Sequence, residues 1–329
     1  MRLSTFPFLL LLLLASASAN AQTALTSADS LLRAGKFAEA KRVSESYLSS
    51  HPGDSAAEVL LGVAEAYLED PKDAVVAFDA AGTIPDQYRI VAAKAYADAA
   101  VEALKAKDNQ KAIILADKAI VLQSNVNTLY IRATAYANAQ KYQPAISDLE
   151  NAKSQAVAGH ADPSTLNAID ASLVTSYLFG GQAEKGLALA RALKQRDPSN
   201  TRVDDALAAY YAQRAIAAFQ AGKVEEAVEV LEMAAKELPS RAASLYVQAA
   251  NLLGAGPQPD WKRVQTEAEK ALTIAANDAR ANYVVGIALA NQSNKSGALP
   301  YLQKAKANAG SDDSLIADVD AALRSLGQP

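Results

Sequence analysis

Between Asn127 and Ala152, apolar and small residues recur every three to four positions: Leu129, Ala133 and Tyr136, then Tyr142, Ala145, Leu149 and Ala152. That spacing puts each set on one helical face, so the segment predicts two amphipathic helices joined by a tight turn. The pattern returns along the chain as a ladder. A small residue is followed by Ala twelve positions on, by another seven further, and by a helix-ending residue five beyond that. Ala215, Ala227, Ala234 and Pro239 carry it in full, as do Gly286, Ala298, Ala305 and Gly310, and Ala100, Ala112, Ala119 and Ser124. Gly62, Ala74 and Ala81 reach Pro85 one place early, and Ala28, Ala40, Tyr47 and Pro52 vary one rung. Ala133, Ala145 and Ala152 have no breaker at the fourth position. A period of roughly 34 residues built from two helices predicts an all-α solenoid of helix-turn-helix repeats. Ala or Gly at a helix crossing lets two backbones approach closely, which accounts for the small rungs.

Second-helix anchors at Ala40, Ala74, Ala112, Ala145, Gly186, Ala227, Val264 and Ala298 count about eight repeats. The longer intervals exceed the period by close to whole helical turns, so insertions inside a helix keep its apolar face in phase. Extra residues at 202–208 predict a lengthened helix. Those at 156–164, with Gly159 and Pro163, predict a longer loop between repeats, and Gly254 to Pro259 an enlarged turn within one. Asp54, Asn200 and Asp278 stand where a side-chain oxygen can cap the next helix. From Ser311, a last amphipathic helix through Leu315, Val319, Ala322 and Leu326 predicts a cap, because an uncovered solenoid end exposes apolar surface.

The N-terminus departs from the repeat. Arg2 is the only charge before Asp29, residues 6–14 are apolar apart from Pro7, and Ala19-Asn20-Ala21 precedes Gln22. These features predict a secretory signal peptide over residues 1–21, cleaved after Ala21, with an uncleaved anchor as the alternative. The expected organisation is therefore a signal over 1–21, a solenoid over 22–310, and a capping helix and tail over 311–329. The protein is expected to be exported, to the periplasm or the medium, with no membrane-spanning segment after cleavage. The full chain has 329 residues, no Cys and a net charge of −4. Thiolate chemistry and disulfides are excluded, and no electrostatic attraction to nucleic acid or an anionic membrane is expected.

Tyr130-Ile131-Arg132-Ala133-Thr134-Ala135-Tyr136, followed by Lys141-Tyr142 and Ala145-Ile146, resembles the first-helix and turn pattern of the tetratricopeptide repeats. Gly222-Lys223-Val224-Glu225-Glu226-Ala227 and Gly35-Lys36-Phe37-Ala38-Glu39-Ala40 are similar to that family's turn and second-helix start. Gly186 and Val264 depart from it, standing where the family usually has Ala. The resemblance covers roughly 22–310. It implies a right-handed superhelix whose first helices line a concave face that holds peptides or protein segments.

Few residues suggest chemistry. His51 and His160 sit beside Pro52 and Gly159 in loops, without metal-ligand spacing or a neighbouring nucleophile. Gly254-Ala255-Gly256 and the stretch from Ser293 to Gly297 lack a preceding strand, so neither is a phosphate loop or nucleophile elbow. The pairs Glu69-Asp70, Asp204-Asp205, Glu225-Glu226 and Asp312-Asp313 are expected to cap helices rather than hold calcium. No catalytic residue, metal or cofactor is expected. Trp261 is expected to plug a turn, and Tyr96, Tyr136 and Tyr211 to face the core.

Tyr130, Tyr246 and Tyr283 lie one position after the rungs Leu129, Leu245 and Asn282, turned about 100° toward the implied groove. Asn127, Thr134 and Asn138 share that side with Tyr130, and Lys94 and Lys105 occupy it in the preceding unit. The eight residues form the expected peptide-binding face, with the lysines favouring an acidic or C-terminal carboxylate end. The expected function is a non-enzymatic protein- or peptide-binding adaptor or assembly scaffold of the bacterial envelope. A small-solute-binding subunit is the alternative, with Val63, Val101, Leu104 and Ile287 on the presumed inner side.

Overall fold

A computed structural model describes residues 22–327, so the expected signal peptide lies outside the described residues. Among the described residues the regular structure is helical, without a strand. Helices pair in succession: α1 (22–33) with α2 (Phe37–Leu48), α3 (Ser55–Tyr67) with α4 (Pro71–Ala81), and α5 (Arg89–Lys105) with α6 (Asn109–Leu122). Next come α7 (Val126–Asn138) with α8 (Tyr142–Ala158), α9 (Pro163–Phe179) with α10 (Ala183–Arg196), and α11 (Thr201–Gln220) with α12 (Val224–Glu237). The last pairs are α13 (Ala242–Ala255) with α14 (Trp261–Ile274) and α15 (Ala279–Asn291) with α16 (Lys295–Asn308), followed by α17 (Asp313–Ser325). The chain divides within α9 into two units, residues 1–176 and 177–329. No helix among the described residues is long and apolar enough to cross a membrane.

The ladder is the packing seam of both units. In the first, Ala40, Ala74, Ala100, Ala112, Ala133 and Ala145 are completely buried. In the second, Ala215, Ala227, Ala234, Ala298 and Ala305 are too. The glycine rungs show how close the helices come. A Cβ added to Gly62 would lie 2.8 Å from the Phe78 ring, and one on Gly186 would lie 2.9 Å from Leu178. Neither gap holds a methyl group without movement, so Gly186 fills the Ala position of the fifth hairpin because the approach there is tighter.

Hairpin turns share a backbone feature that the apolar pattern does not reveal. The residue five places before seven of the eight second-helix rungs has positive φ: Gly35, Gly181 and Gly222, but also Glu69, Lys107, Gln140 and Ser293, the exception being Pro259 in the enlarged turn before Val264. Four non-glycine residues thus sit in the left-handed region, where a Cβ crowds the following carbonyl oxygen.

Helix starts follow the expected chemistry at Asp54, Asn200 and Asp278, whose side chains accept from the amides of Ala57, Val203 and Ala281. Asp70 and Asp312 cap in the same way. Asp204-Asp205 does not cap. Asp204 is buried within α11 and binds Lys194 Nζ at 2.8 Å, while Asp205 pairs with Arg241. Glu225 likewise reaches across to Arg263, at 2.7 Å, rather than to its own helix end. These acids tie one helix to the next because basic partners stand on the neighbouring element.

The interval around 156–164 is also shorter in loop than its glycine and proline suggest. Helix α8 continues to Ala158 and α9 starts at Pro163, where proline's missing amide costs nothing. The extra residues lengthen the helices, as they do in the 20-residue α11. Between α13 and α14 the turn is enlarged as expected, and Trp261 lies beside Gly254 there, 3.6 Å from where a Cβ would stand. Helix α17 covers α16, burying Leu315, Val319 and Leu323 against Leu302 and Ala305.

Candidate binding strip on the first helices

First helices α3, α5 and α7 pack side by side in the first unit, as do α11, α13, α15 and α17 in the second. Their second-helix side is occupied by a recurring ion network. Arg132 on α7 binds Asp148 on α8 and Asp117 on α6, each at 2.7 Å. Asp148 and neighbouring charges hold the guanidinium protonated beyond its ordinary range, its hydrogen bond to Asp148 being the largest cause. Tyr96 on α5 donates to Asp79 on α4, with Lys118 of α6 5.5 Å from its ring centroid and 2.6 Å from the same carboxylate. Burial, then the Asp79 hydrogen bond, pushes the Tyr96 hydroxyl up.

The seventh hairpin contains the same trio, which corrects the placement of Tyr246. Lys270 stands 5.5 Å from the Tyr246 ring centroid and binds Glu232 and Glu267 at 2.7 Å each. Tyr246 therefore corresponds to the rung Tyr96 and faces the second helices, not the groove. The enlarged turn after Ala255 changes the residue count between α13 and α14, so Leu245 is not the equivalent of Leu129 in phase.

The opposite side of the first helices holds the other expected residues. Lys94 and Lys105 stand six before and five after the rung Ala100, and Asn127 and Asn138 hold those places around Ala133. All four are exposed. Tyr130 is half-buried and shares a hydrogen bond of 3.1 Å with Ser172 on α9; Thr134 donates to its carbonyl at 2.8 Å. Tyr283 on α15 packs against α17, where it lines a crevice of about 260 Å³ with Asn251, Arg280 and Asp318. Burial, reinforced by the Asp318 charge, raises its hydroxyl pKa.

The six residues of α5 and α7 do not share one crevice. Lys94 and Lys105 line a space of about 620 Å³ beside the end of α3, with Tyr67, Ile90, Asp98 and Val101, and no α7 residue lines it. A second space of about 280 Å³ lies among α1, α3 and the start of α5, and the two share Tyr67 and Val91. There the Tyr88 hydroxyl donates to Asp29 at 2.6 Å, and Arg33 binds the same carboxylate at 2.8 Å. Sequence reasoning missed Tyr67, Ile90, Asp29 and Tyr88. Tyr67 was within reach of it, being five places after the rung Gly62, as Lys105 and Asn138 are after theirs.

Of the four apolar residues of the small-solute alternative, Val63 is buried and lines the smaller crevice, Val101 lines the larger one, Leu104 packs against the core, and Ile287 lies half-buried in the second unit. His51 stacks on Tyr47 at the end of α2, and its Nδ1 lies 3.1 Å from the Tyr47 carbonyl. Glu65, Asp70 and Asp73 approach one another, but Lys41 Nζ already sits 2.7 Å from Glu65. That cluster reads as a compensated helix start.

No family model matches the chain, and no curated protein matches it. Among solved structures it is similar to the P58(IPK) TPR domain, at 14% identity and a TM-score of 0.37, over 94% of this chain and 98% of that one. Similarity to yeast Tom70 is 17% identity with a TM-score of 0.41, over 88% of this chain and 58% of that one. For the TPR2AB-domain:pHSP90 complex of yeast Sti1 the values are 19% and 0.33, over 72% and 98%. From its own ladder and hairpins, the chain is an all-α array of helix-turn-helix repeats.

Proposed function

We propose that this protein is a non-enzymatic adaptor or assembly scaffold that holds an extended peptide or a partner's helix along its first helices. The observation that carries this reading is the crevice beside α5. Its lining runs from Ile90 to Lys105, about 22 Å at the rise of an α-helix. A space of that length, walled by apolar side chains and rimmed by ions, suits a chain segment better than a compact solute, which an enclosing pocket would bury more fully. The residues 1–21 support export, with the bacterial envelope as the site of action.

Replacing Ile90 and Lys105, which line the crevice, together with Ala tests the binding face. Partner capture from the native envelope is expected to fall, with helical circular dichroism retained. Unchanged capture would move the face elsewhere. A thermal-shift screen of small solutes tests the alternative, since a bound solute raises apparent stability with its occupancy.

A further inference from the structure

We infer that the strip over α1, α3 and α5 selects a partner segment by an apolar anchor lodged at Tyr67 and Ile90, and that the segment is charge-balanced rather than acidic. This deepens the adaptor reading and rests on it. Tyr67 is 51% exposed although one face of its ring is stacked on Phe37, with centroids 4.4 Å apart and planes 8° from parallel. The stack fixes the ring before any partner arrives, so little side-chain entropy remains to be lost on contact. Ile90, 66% exposed, lines the same crevice, and Tyr67 is common to both crevices of the strip. Large apolar groups left in water at a crevice mark a contact site.

The ions decide the second half of the inference. Lys94 is bound to Asp98 and Arg33 to Asp29, while Lys72 approaches Glu102 at 3.5 Å. Lys94, Arg33 and Lys72 thus each have an anion of this chain beside them, and the charge of Lys105 is matched by Glu69 in the same lining, so the strip presents nearly balanced charge. A row of carboxylates arriving there would have to displace Asp98 and Asp29, or face them. A segment with both signs and one large aliphatic or aromatic side chain meets no such repulsion.

The test is selection of a phage-displayed library of random twelve-residue peptides on the described protein, followed by binding of the enriched peptides to variants. Enriched peptides are expected to share a large apolar residue and to carry charges of both signs. Their affinity should fall at least tenfold in Ile90→Ala and in Tyr67→Ala, and change little between low and moderate salt. Ile90→Ala guards against misfolding, because that exposed side chain contributes little to the fold. Acidic peptides that lose affinity with salt and with Lys94→Ala/Lys105→Ala would overturn this inference while leaving the adaptor reading standing. Peptides indifferent to every first-helix variant, or no enrichment at all, would overturn both.

Discussion

Helix α15 crosses α16 so closely at Gly286 that a Cβ there would lie 2.7 Å from Leu302 Cγ. Leu302 is fully buried, so it has nowhere to retreat. Gly286→Ala is therefore expected to destabilise the fold by about 1–3 kcal/mol through overpacking, despite Ala's better helix propensity. Gly254 on α13 is the control, since its nearest neighbour would be 3.6 Å away, an ordinary contact. Gly254→Ala should be neutral or stabilise by up to about 1 kcal/mol. Urea titration of the two variants checks both signs.

The hairpin turns offer the reverse substitution. Gln140 has φ of 58° at a place where Gly222, with φ of 78°, serves another hairpin. Gln140→Gly should stabilise by up to about 1 kcal/mol, the relief of left-handed strain exceeding the added freedom of the unfolded chain. A lower urea midpoint would show that the Gln140 side chain makes a contribution the backbone argument omits.

Arg132 joins three helices, and only 8% of the Asp148 side chain is exposed. Removing the guanidinium would strand that carboxylate, so Arg132→Ala should cost roughly 3 kcal/mol. Arg132→Lys should recover part of it, because an ammonium cannot reproduce the two-pronged contact with Asp148. Thermal unfolding of the pair measures the difference.

The Tyr88–Asp29 bond gives the first unit a pH window. The Tyr88 hydrogen bond, with help from Arg33, holds the Asp29 carboxyl below its ordinary value. Its contribution is present above about pH 4 and lost as pH falls through the lowered value. Burial first, then Asp29, pushes the Tyr88 hydroxyl up to about 12. That contribution is complete below about pH 10 and lost as pH rises toward 12. Tyr88→Phe should flatten both limbs of the stability profile, read by unfolding midpoints from pH 3 to 11.

Much of this fold is legible in the chain because one physical demand, close helix crossing, recurs at a fixed spacing. Ala227 and Gly286 announce their burial by position alone, and Asp54 and Asn200 announce helix starts by type and place. Position alone misleads where the spacing changes. An enlarged turn before Trp261 shifted the apparent phase of Tyr246, and Gly159 with Pro163 suggested a long loop where two helices simply run longer. The ion network was invisible for a different reason. Lys270 and Glu232 are 38 residues apart, and nothing in the local sequence of either names the other. The charges of Lys94 and Lys105 are legible in the sequence, but the ion pair by which Asp98, one helical turn on, neutralises Lys94 shows only in the structure.

In the proposed adaptor the first helices carry the binding face and the second helices do not. Photo-crosslinking in the native cell tests this most directly, with a photoreactive residue placed at Lys105 or Asn138 on the first helices. The comparison position is Val121, which is 75% exposed on the second helix α6. Partner adducts from Lys105 or Asn138, with none from Val121, are the predicted result. Adducts from Val121 alone would contradict the account.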